Sequence, residues 1–271
     1  MDVPLTHAVI DRWLRERLLQ LRDGNGLSQD EAAKRSGISH RTLLRIENGQ
    51  TSIDPDILDD LLVTYNVEPA QHLELQRLRK LSIRTGWWND YADVIGARYA
   101  EHCELEELAD EIQSWTTTLV DGLLQTEQYS RMVQGATLRW LEKSHAERFA
   151  RLRLDRQRHA LRKDRPFRCL LDEAALLRGR ARNRKLMQDQ LDHLKRADEE
   201  GLAEIRVLPM SEPIYVGGSM SCFIIGTRRV VCFDGLIAEE HSEVKEIVDS
   251  FASRFDSWWR NDSVPIGDLT K

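Results

Sequence analysis

The chain has 271 residues, 41% of them hydrophobic and 31% charged, a composition that excludes a disordered protein and indicates a globular one. Domains usually hold ~100–200 residues, so the length favours two of them. The formal net charge of −6 excludes a uniformly basic protein, and no stretch reaches the ~18 apolar residues of a membrane span. Because the N-terminus also lacks the pattern of a signal peptide, we expect a cytoplasmic protein.

Short helices separated by turn residues are predicted in the first eighty or so residues. Apolar residues recur there at helical spacing, and Asp54-Pro55 fits an N-cap followed by a first-turn proline. The five predicted helices cover about Val9–Arg22, the segment from Ser28 to Ser36, the segment from Ser39 to Asn48, the segment from Asp54 to Tyr65, and the segment from Pro69 to Ile83.

The second and third of these helices form a distinctive pair. Ser28 and Glu31 match a capping box, and Gly37 permits a sharp turn between the helices. Ser39 can cap the third helix, which Asn48-Gly49 ends. Two short helices joined by a tight glycine-containing turn place the second of them in the major groove of DNA.

The third helix has one apolar side and one polar side. Leu43 and Ile46 occupy the inner side, and Leu44 falls outside it. The outward positions of this helix and its neighbour carry hydrogen-bond donors, so we expect them to meet DNA. The predicted DNA-binding residues are Gln29, Lys34, Ser39, His40, Arg41, Thr42 and Arg45.

The chain changes character after about residue 84, which predicts a helix-turn-helix domain over 1–84 and an α+β domain over 85–271. Predicted helices cover Tyr91–Trp115, Glu127–Val133, Leu138–Lys163, Asn183–Glu200 and Glu239–Arg260, and predicted strands cover Phe167–Leu171, Ile205–Leu208, Met220–Ile225 and Val230–Phe233. The last two strands flank a short turn and indicate a hairpin. The expected fold class is therefore mostly α, with five helices before an α+β regulatory domain.

Charge is unevenly distributed in the second domain. The stretch from Leu138 to Lys185 has sixteen Lys or Arg and six Asp or Glu, which gives +10 and leaves −16 for the remainder. Such asymmetry indicates a localised basic surface. Arg148, Arg151 and Arg158 can face a phosphate or carboxylate ligand, although a solvated face or an interface with an acidic partner is the more common role.

Other chemistry has weaker support. Asp172 and Glu173 adjoin at a strand-to-helix junction and can be catalytic, but acids also favour helix N-termini for dipole reasons. The cysteines, Cys103, Cys169, Cys222 and Cys232, form no CxxC pair, so we expect reduced thiols and no zinc site. Phosphate-loop, metalloprotease and nucleophile-elbow motifs are absent from the sequence. We therefore expect no catalytic residues, metal or cofactor.

The run LSQDEAAKRSGISHRTLLRIENG resembles the lambda-repressor-like (XRE-type) helix-turn-helix family, over roughly Val9–Leu75. The resemblance implies that Gln29 contacts a phosphate or supports the recognition helix. It places Arg41 against guanine and His40 and Arg45 on phosphates. Leu44 departs from the small polar residue usual there, and Glu47-Asn48 is expected to be structural.

A second pattern resembles a domain of unknown function that follows an XRE-type helix-turn-helix in a large actinobacterial family of antitoxin-like transcriptional regulators. The pattern runs from GLLQT-x-x-Y through LDEAALLR and VLP to a final hairpin, over about Leu105–Trp259. Asp121 stands where proline is more usual. Members are commonly encoded beside a small partner protein, which makes Gln125 and Tyr129 candidates, with the three arginines, for ligand or partner binding.

Three readings of function follow. The first is a transcription regulator that binds double-stranded DNA as a homodimer, and the second adds control by a small neighbouring protein. The third is a DNA-tethered enzyme or sensor in which Asp172, Glu173 and arginines handle a phosphorylated ligand. Two simpler readings of Leu27–Gly49 remain, a helical hairpin in a bundle and a protein-binding helix-turn-helix. The latter suits residues 1–80, which have eleven basic and thirteen acidic side chains.

Overall fold

A computed structural model of the chain describes residues 6–137, 143–178, 180, 183–211, 218–233 and 240–269. These residues divide into two compact units, one ending at Ala92 and the other beginning at Asp93. The division lies somewhat beyond the boundary at residue 84 that the sequence predicts. No helix among the described residues combines the length and the apolar character needed to cross a bilayer.

Five helices build the first unit, as the sequence predicts. They are α1 (Ala8–Gly24), α2 (Gln29–Arg35), α3 (His40–Glu47), α4 (Pro55–Thr64) and α5 (Pro69–Ser82). Their apolar faces meet in one core, whose buried members are Leu14, Leu18, Leu27, Ala32, Ala33, Leu43, Ile46, Ile53, Leu58, Leu61, Leu62, Tyr65 and Leu75. Each helix supplies at least one of these side chains, so packing fixes the orientation of α3.

The described residues of the second unit form six α-helices and seven strands. Its helices are α6 (Ala97–Leu108), α7 (Glu127–Thr137), α8 (Lys143–Ala160), α9 (Glu173–Leu177), α10 (Arg184–Glu199) and α11 (Lys245–Ser257). Its strands are β1 (Glu111–Thr116), β2 (Phe167–Asp172), β3 (Glu204–Leu208), β4 (Met220–Ile225), β5 (Arg228–Phe233), β6 (Glu240–Ser242) and β7 (Val264–Pro265). The expected class, mostly α with an α+β second domain, is confirmed.

All seven strands belong to one mixed sheet with the order β6-β5-β4-β1-β2-β3-β7. Strands β1, β2 and β3 are parallel neighbours, and helices cross over between them, because parallel strands need long connections. The other pairs are antiparallel. The predicted hairpin is β4 and β5, with Ile225 opposite Arg228.

The predicted helix over Tyr91–Trp115 is wrong at both ends, since α6 begins only at Ala97. Helix α6 ends at Leu108, and Glu111–Thr116 is the central strand β1. Five of the six strand residues are buried, because neighbouring strands flank β1 and side chains on both faces are covered. A strand of this kind lacks the polar–apolar alternation that identifies half-exposed strands.

Two further helix predictions need correction. The segment predicted as helix over Glu239–Arg260 contains strand β6, and regular α-helix covers only Lys245–Ser257 before a π-helical turn at Trp258–Asp262. Glu239 lies outside the described residues. The long basic helix is present as Lys143–Ala160, while residues 138–142 of that prediction lie outside the described part of the chain.

Helix α8 ends at Ala160, before the predicted Lys163, where the side chain of Arg165 turns back onto the end of the helix. The guanidinium of Arg165 donates to the carbonyl oxygens of Ala160 and Glu106, and to that of Ala109 at 3.2 Å. Carbonyls at helix ends lack partners within the helix. One buried side chain therefore satisfies the ends of both α6 and α8.

A buried ion pair also joins these two helices. Nε of Arg156 lies 2.9 Å and 2.7 Å from the two carboxylate oxygens of Glu106, and Nε2 of His102 lies 3.2 Å from the same carboxylate. Burial by itself would raise the pKa of Glu106, but the charge of Arg156 and the contact with His102 lower it from 4.5 to about 2. Glu106 is therefore held as a carboxylate.

Removing this carboxylate should destabilise the protein and change its response to acid. We expect Glu106→Gln to lower the free energy of unfolding at neutral pH by about 3 kcal/mol, because it leaves Arg156 buried without its counter-charge. The folded-state pKa is depressed, so the stabilisation is present above pH 4.5 and is lost as the pH falls towards 2. Urea unfolding across this window should show a weaker pH dependence for the variant.

Glu127→Gln is the matched control for that experiment. Glu127 pairs with Arg131 on the surface at 2.7 Å, and both side chains are more than half exposed. Its loss should change stability by about 0.5 kcal/mol or less. Equal destabilisation by the two variants would contradict the importance of the buried pair.

Candidate nucleic-acid interface

The capping and turn signals between α2 and α3 are present in the structure. The hydroxyl of Ser28 accepts from the amide of Glu31 (3.3 Å), and the carboxylate of Glu31 accepts from the amide of Ser28 (2.9 Å). Gly37 has φ +68°, a conformation that a side chain disfavours. This turn lets the amide of Ile38 bond to the carbonyl of Ala33 at 3.0 Å, so α3 leaves α2 at a fixed angle.

Helix α3 begins at a cap and exposes its first turn. The hydroxyl of Ser39 accepts from the amide of Thr42 at 3.0 Å, and Leu43 and Ile46 are buried beneath the helix. Of the predicted DNA-binding residues, Lys34, Ser39, His40, Arg41 and Arg45 are exposed, while Gln29 and Thr42 are half-buried. Leu44 is 37% exposed. The helix therefore presents a polar, positively charged surface over an apolar underside.

A carboxylate at the end of α3 ties this helix to two others. Oε1 of Glu47 accepts from Nε of Arg22 on α1 (2.7 Å), and Oε2 accepts from the side-chain amide of Gln29, the first residue of α2 (2.6 Å). The Glu47 side chain is only 4% exposed. Gln29 thus makes a supporting contact with α3; its contact with a phosphate stays a prediction.

Sequence reasoning missed the corresponding role of Arg15. This buried arginine of α1 donates to the carbonyls of Ile46 and, at 2.8 Å, Thr51, and it is paired with Asp11 at 2.7 Å. It therefore holds the end of α3 and the loop that follows. An arginine in the middle of an amphipathic helix gives no local signal that its guanidinium will reach the carbonyls of another helix.

Electrostatics in this unit follow from the same contacts. Burial by itself would lower the pKa of Arg22, but the hydrogen bond and the charge of Glu47 raise it above its ordinary value. Burial, together with the charge of Glu47, raises the pKa of Tyr65 to about 12. The hydrogen bonds from Ser28 lower the pKa of Glu31. Arg22 is therefore charged and Tyr65 is neutral at physiological pH.

The GLLQT-x-x-Y segment of the second unit forms a buried loop stabilised by its own side chains. The side-chain amide nitrogen of Gln125 donates to the carbonyl of Val120 (2.7 Å), and the side-chain oxygen of Gln125 accepts from Arg153 (2.8 Å). The hydroxyl of Tyr129 accepts from the amide of Val120 at 3.2 Å. Asp121 accepts from the amide of Leu123 at 2.8 Å, so the aspartate that replaces proline caps a 3-10 turn.

Two further glutamines fix the same loop from neighbouring helices. Gln190 on α10 donates to the carbonyl of Leu124 and accepts from the amide of Thr126, both at 2.7 Å. Gln157 on α8 donates to the carbonyls of Gly122 and Gln125 at 3.0 Å and 2.8 Å. Backbone groups buried in a loop need such partners, which explains this sequence motif in structural terms.

The five candidate ligand-binding residues do not form one cluster. Gln125 and Tyr129 are buried in the loop, whereas Arg151 and Arg158 are exposed on α8. Arg158 is 76% exposed and contacts Asp155, and Arg148 pairs with Asp93 at 2.6 Å. Several cations of the basic stretch are thus paired within the second unit, which leaves Arg151 and Arg158 as its exposed candidates.

The adjoining carboxylates Asp172 and Glu173 have structural contacts. Oδ1 of Asp172 accepts from the amide of Ala174 (2.7 Å) and caps α9. Oε2 of Glu173 accepts from the amide of Met210 at 2.9 Å. The cap made by Asp172 fits the expected helix-terminal role, whereas Glu173 ties the start of α9 to the segment after β3.

Comparison with known proteins agrees with this division of the chain. Residues 18–71 match the family model described as helix-turn-helix, and residues 99–261 match the model described as Domain of unknown function (DUF5753). No curated protein matches the chain. One solved structure that resembles it is that of TrmBL2, titled an archaeal chromatin protein with a novel mode of DNA binding. That structure is 13% identical, with 87% of each chain covered and a TM-score of 0.28, a similarity too low to inform the fold.

Glu47 offers a direct test of how α3 is held. We expect Glu47→Gln to lower the free energy of unfolding by about 2 kcal/mol, because Arg22 loses the buried one of its two carboxylate partners and keeps only the exposed Asp23. Affinity should fall by a similar factor for every DNA sequence, because the variant shifts the whole of α3 and does not remove a single base contact. Urea unfolding and fluorescence anisotropy measure the two effects.

Glu74→Gln provides the control, because Glu74 is an exposed carboxylate on α5 of the same unit. Its replacement should change stability by about 0.5 kcal/mol or less. If Glu47→Gln is as stable as the control, the Glu47 contacts do not position the helix.

Proposed function

Because the chain belongs to the family defined by the domain of unknown function DUF5753 and is a DNA-binding regulator of the helix-turn-helix class, we propose how it binds and how it is controlled. Its α3 reads base edges in the major groove of paired half-sites, and the protein acts there as a homodimer. Its second unit regulates this binding through a small partner protein, in the manner of an antitoxin. A cytoplasmic location goes with a chromosomal DNA target.

The exposed first turn of α3 is the observation that carries the proposal. His40, Arg41 and Arg45 project donors from a helix whose other side is buried on Leu43 and Ile46. Base edges in the major groove offer acceptors that such donors can read. The contacts of Glu47 and Arg15 fix the helix before DNA arrives, so little ordering is needed on binding.

Roles are assigned by reach and chemistry. Arg41 lies in the first turn of α3, and its forked guanidinium suits the two acceptors of guanine. Lys34 is exposed near the end of α2 and suits a phosphate, as do His40 and Arg45. The hydroxyl of Ser39 caps α3. In this proposal Ser39 therefore orients the helix towards DNA.

Two protomers per site follow from the size of the interface. A single small helix-turn-helix buries too little DNA surface for high affinity. The mild acidity of residues 1–80, with eleven basic and thirteen acidic side chains, further weakens nonspecific attraction to phosphates. A dimer doubles the contacts and places its half-sites about one helical turn, ~34 Å, apart.

Binding of the full-length protein to its own promoter tests the DNA-reading role. We expect Arg41→Ala to cost about 1–3 kcal/mol on the preferred site and to relax the base preference at one position of each half-site. Lys34→Ala should weaken binding to all DNA sequences alike and should reduce by about 1 the slope of log affinity against log salt concentration. Anisotropy titrations at several salt concentrations, with footprinting for stoichiometry and spacing, provide the measurement.

Arg77→Ala is the control, since Arg77 is an exposed arginine on α5, outside the proposed interface. It should leave affinity and salt slope unchanged. Equal, sequence-independent weakening by Arg41→Ala and Lys34→Ala would contradict the assigned roles, and a single protomer on the footprint would contradict the dimer.

Control by a partner rests on the family resemblance and on the exposed side of α8. Gln125, Tyr129 and Arg148 have contacts within the unit, whereas Arg151 and Arg158 extend to the surface. An acidic face on a small protein is the chemistry that two exposed arginines favour. The proposed partner is therefore the product of a neighbouring gene, bound at α8.

Charge reversal tests this surface. We expect the double variant Arg151→Glu/Arg158→Glu to lose co-purification with the neighbouring gene product, because acidic groups would then face an acidic partner. Arg196→Glu, at an exposed position on α10, should retain the partner. If the double variant still co-purifies with the partner, the partner does not bind at Arg151 and Arg158. If the unaltered chain does not co-purify with the neighbouring gene product, the antitoxin-like part of the proposal is wrong.

A further inference from the structure

Three side chains with metal-binding chemistry meet in the second unit. His102 of α6, Cys232 of β5 and His241 of β6 place one ligand atom each within 4.8 Å of one another. His102 and Cys232 are buried, and the side chain of His241 is 4% exposed. Cys232 and His241 are close in the sequence, whereas His102 precedes them by more than a hundred positions, so the meeting of His102 with the other two is a property of the fold.

We propose that His102, Cys232 and His241 bind one divalent transition-metal ion of the zinc type. Zinc takes thiolate and imidazole ligands together in a tetrahedral arrangement, whereas magnesium and calcium require oxygen ligands. Three protein ligands leave the fourth position for water or a small anion.

The backbone already places two of the ligands. Cys232 and His241 are register partners on the antiparallel strands β5 and β6, and partners in such a pair lie side by side on the same face of the sheet. Helix α6 brings His102 to this face, with its ring 6.2 Å from that of His241 and edge-on to Phe223 at 5.2 Å. Little movement is needed to close the ligand atoms around an ion.

Carboxylates orient both imidazoles from behind. Oε2 of Glu101 lies 3.4 Å from Nδ1 of His241, and Oε1 of Glu106 lies 3.2 Å from Nε2 of His102. In metal sites the nitrogen that does not ligate commonly donates to a carboxylate in this way. The arrangement assigns Nε2 of His241 and Nδ1 of His102 to the metal.

The Nε2 atom of His241 provides independent support. It is buried and makes no hydrogen bond to a nitrogen or oxygen atom of the described residues, although a polar atom removed from water ordinarily has such a partner; the side chain that it faces is the other proposed ligand, Cys232. A metal ion would satisfy it. Nη2 of Arg156 lies 3.2 Å from Nε2 of His102, the nitrogen that is not assigned to the ion, and the positive charge of this arginine is balanced by Glu106, whose Oε2 is 2.7 Å from its Nε.

Charge and protons balance without any redox step. The thiol of Cys232 loses its proton to solvent as its sulfur bonds to the ion, and any proton on the ligating nitrogen of each histidine leaves likewise. The thiolate then offsets half of the 2+ charge. The bound ion joins the edge strand β6 and its neighbour β5 to α6, so it should stabilise the second unit.

Cobalt is the probe that reports thiolate ligation directly. The full-length chain, stripped with a chelator and then freed of it, is titrated with Co²⁺ under reducing conditions. We expect one equivalent to bind, with the intense visible absorption of tetrahedral cobalt and a thiolate charge-transfer band in the near ultraviolet. Zn²⁺ should displace the cobalt and raise the melting temperature of the stripped protein.

Variants separate this site from adventitious binding. Cys232→Ser should abolish the charge-transfer band, and His241→Gln should abolish tight binding while leaving all four thiols in place. Glu101→Gln should weaken binding by about tenfold or more, because it removes only the orienting carboxylate. Cys169→Ala, which removes a buried cysteine of β2, should behave as the unaltered chain does.

The outcomes are decisive in either direction. Circular dichroism of each stripped variant establishes that it is folded, and His241→Gln gives an answer even if Cys232→Ser is unstable. A charge-transfer band that persists in Cys232→Ser, equal binding by His241→Gln and the unaltered chain, or no tight cobalt binding by the unaltered chain would each overturn the proposal.

Discussion

The exposed polar surface of α3 depends on one carboxylate. Glu47 lies at the last turn of α3 and accepts from Arg22 of α1 and Gln29 of α2, so three helices meet on a single side chain. Short helices such as α3 are marginal by themselves and take their stability from packing. Apolar packing orients α3, and the buried carboxylate with two donors adds contacts that depend on direction. The polar first turn of α3 then faces outward as a consequence of how its last turn is held.

The second unit uses the same kind of constraint on a larger scale. Arg156 and Glu106 pair where α6 and α8 meet, and Arg165 satisfies the carbonyls at the ends of both helices. The Val120–Thr126 loop is likewise held by side-chain amides and a tyrosine hydroxyl. Gln125 and Tyr129, which the family resemblance makes candidates for ligand or partner binding, thus hold the backbone of a buried loop. Polar side chains inside a protein most often serve this purpose, because the backbone groups around them cannot reach water.

Local chemistry explains which parts of the fold could be predicted. The caps Ser28 and Ser39 and the turn at Gly37 act within four residues of themselves, so the sequence displays them directly and α2 and α3 were placed correctly. Strand β1 was mistaken for helix because burial on both faces removes the alternation that marks a strand. Strand β6 has three residues, too few for any period, and its pairing with β5 is a tertiary effect.

Local spacing likewise decides which residues of the candidate sites can be predicted from the sequence. Helical spacing shows that Arg41 and Arg45 lie opposite the buried Leu43 and Ile46, so their exposure could be read from the chain. The contact between Arg15 and Ile46 spans 31 positions, and the meeting of His102 with Cys232 and His241 spans more than a hundred. Sequence spacing reports a complete set of metal ligands only when all of them share one turn or one hairpin. Here the edge of the sheet supplies two of the ligands and a helix on its face supplies the third, so only the folded chain can bring them together.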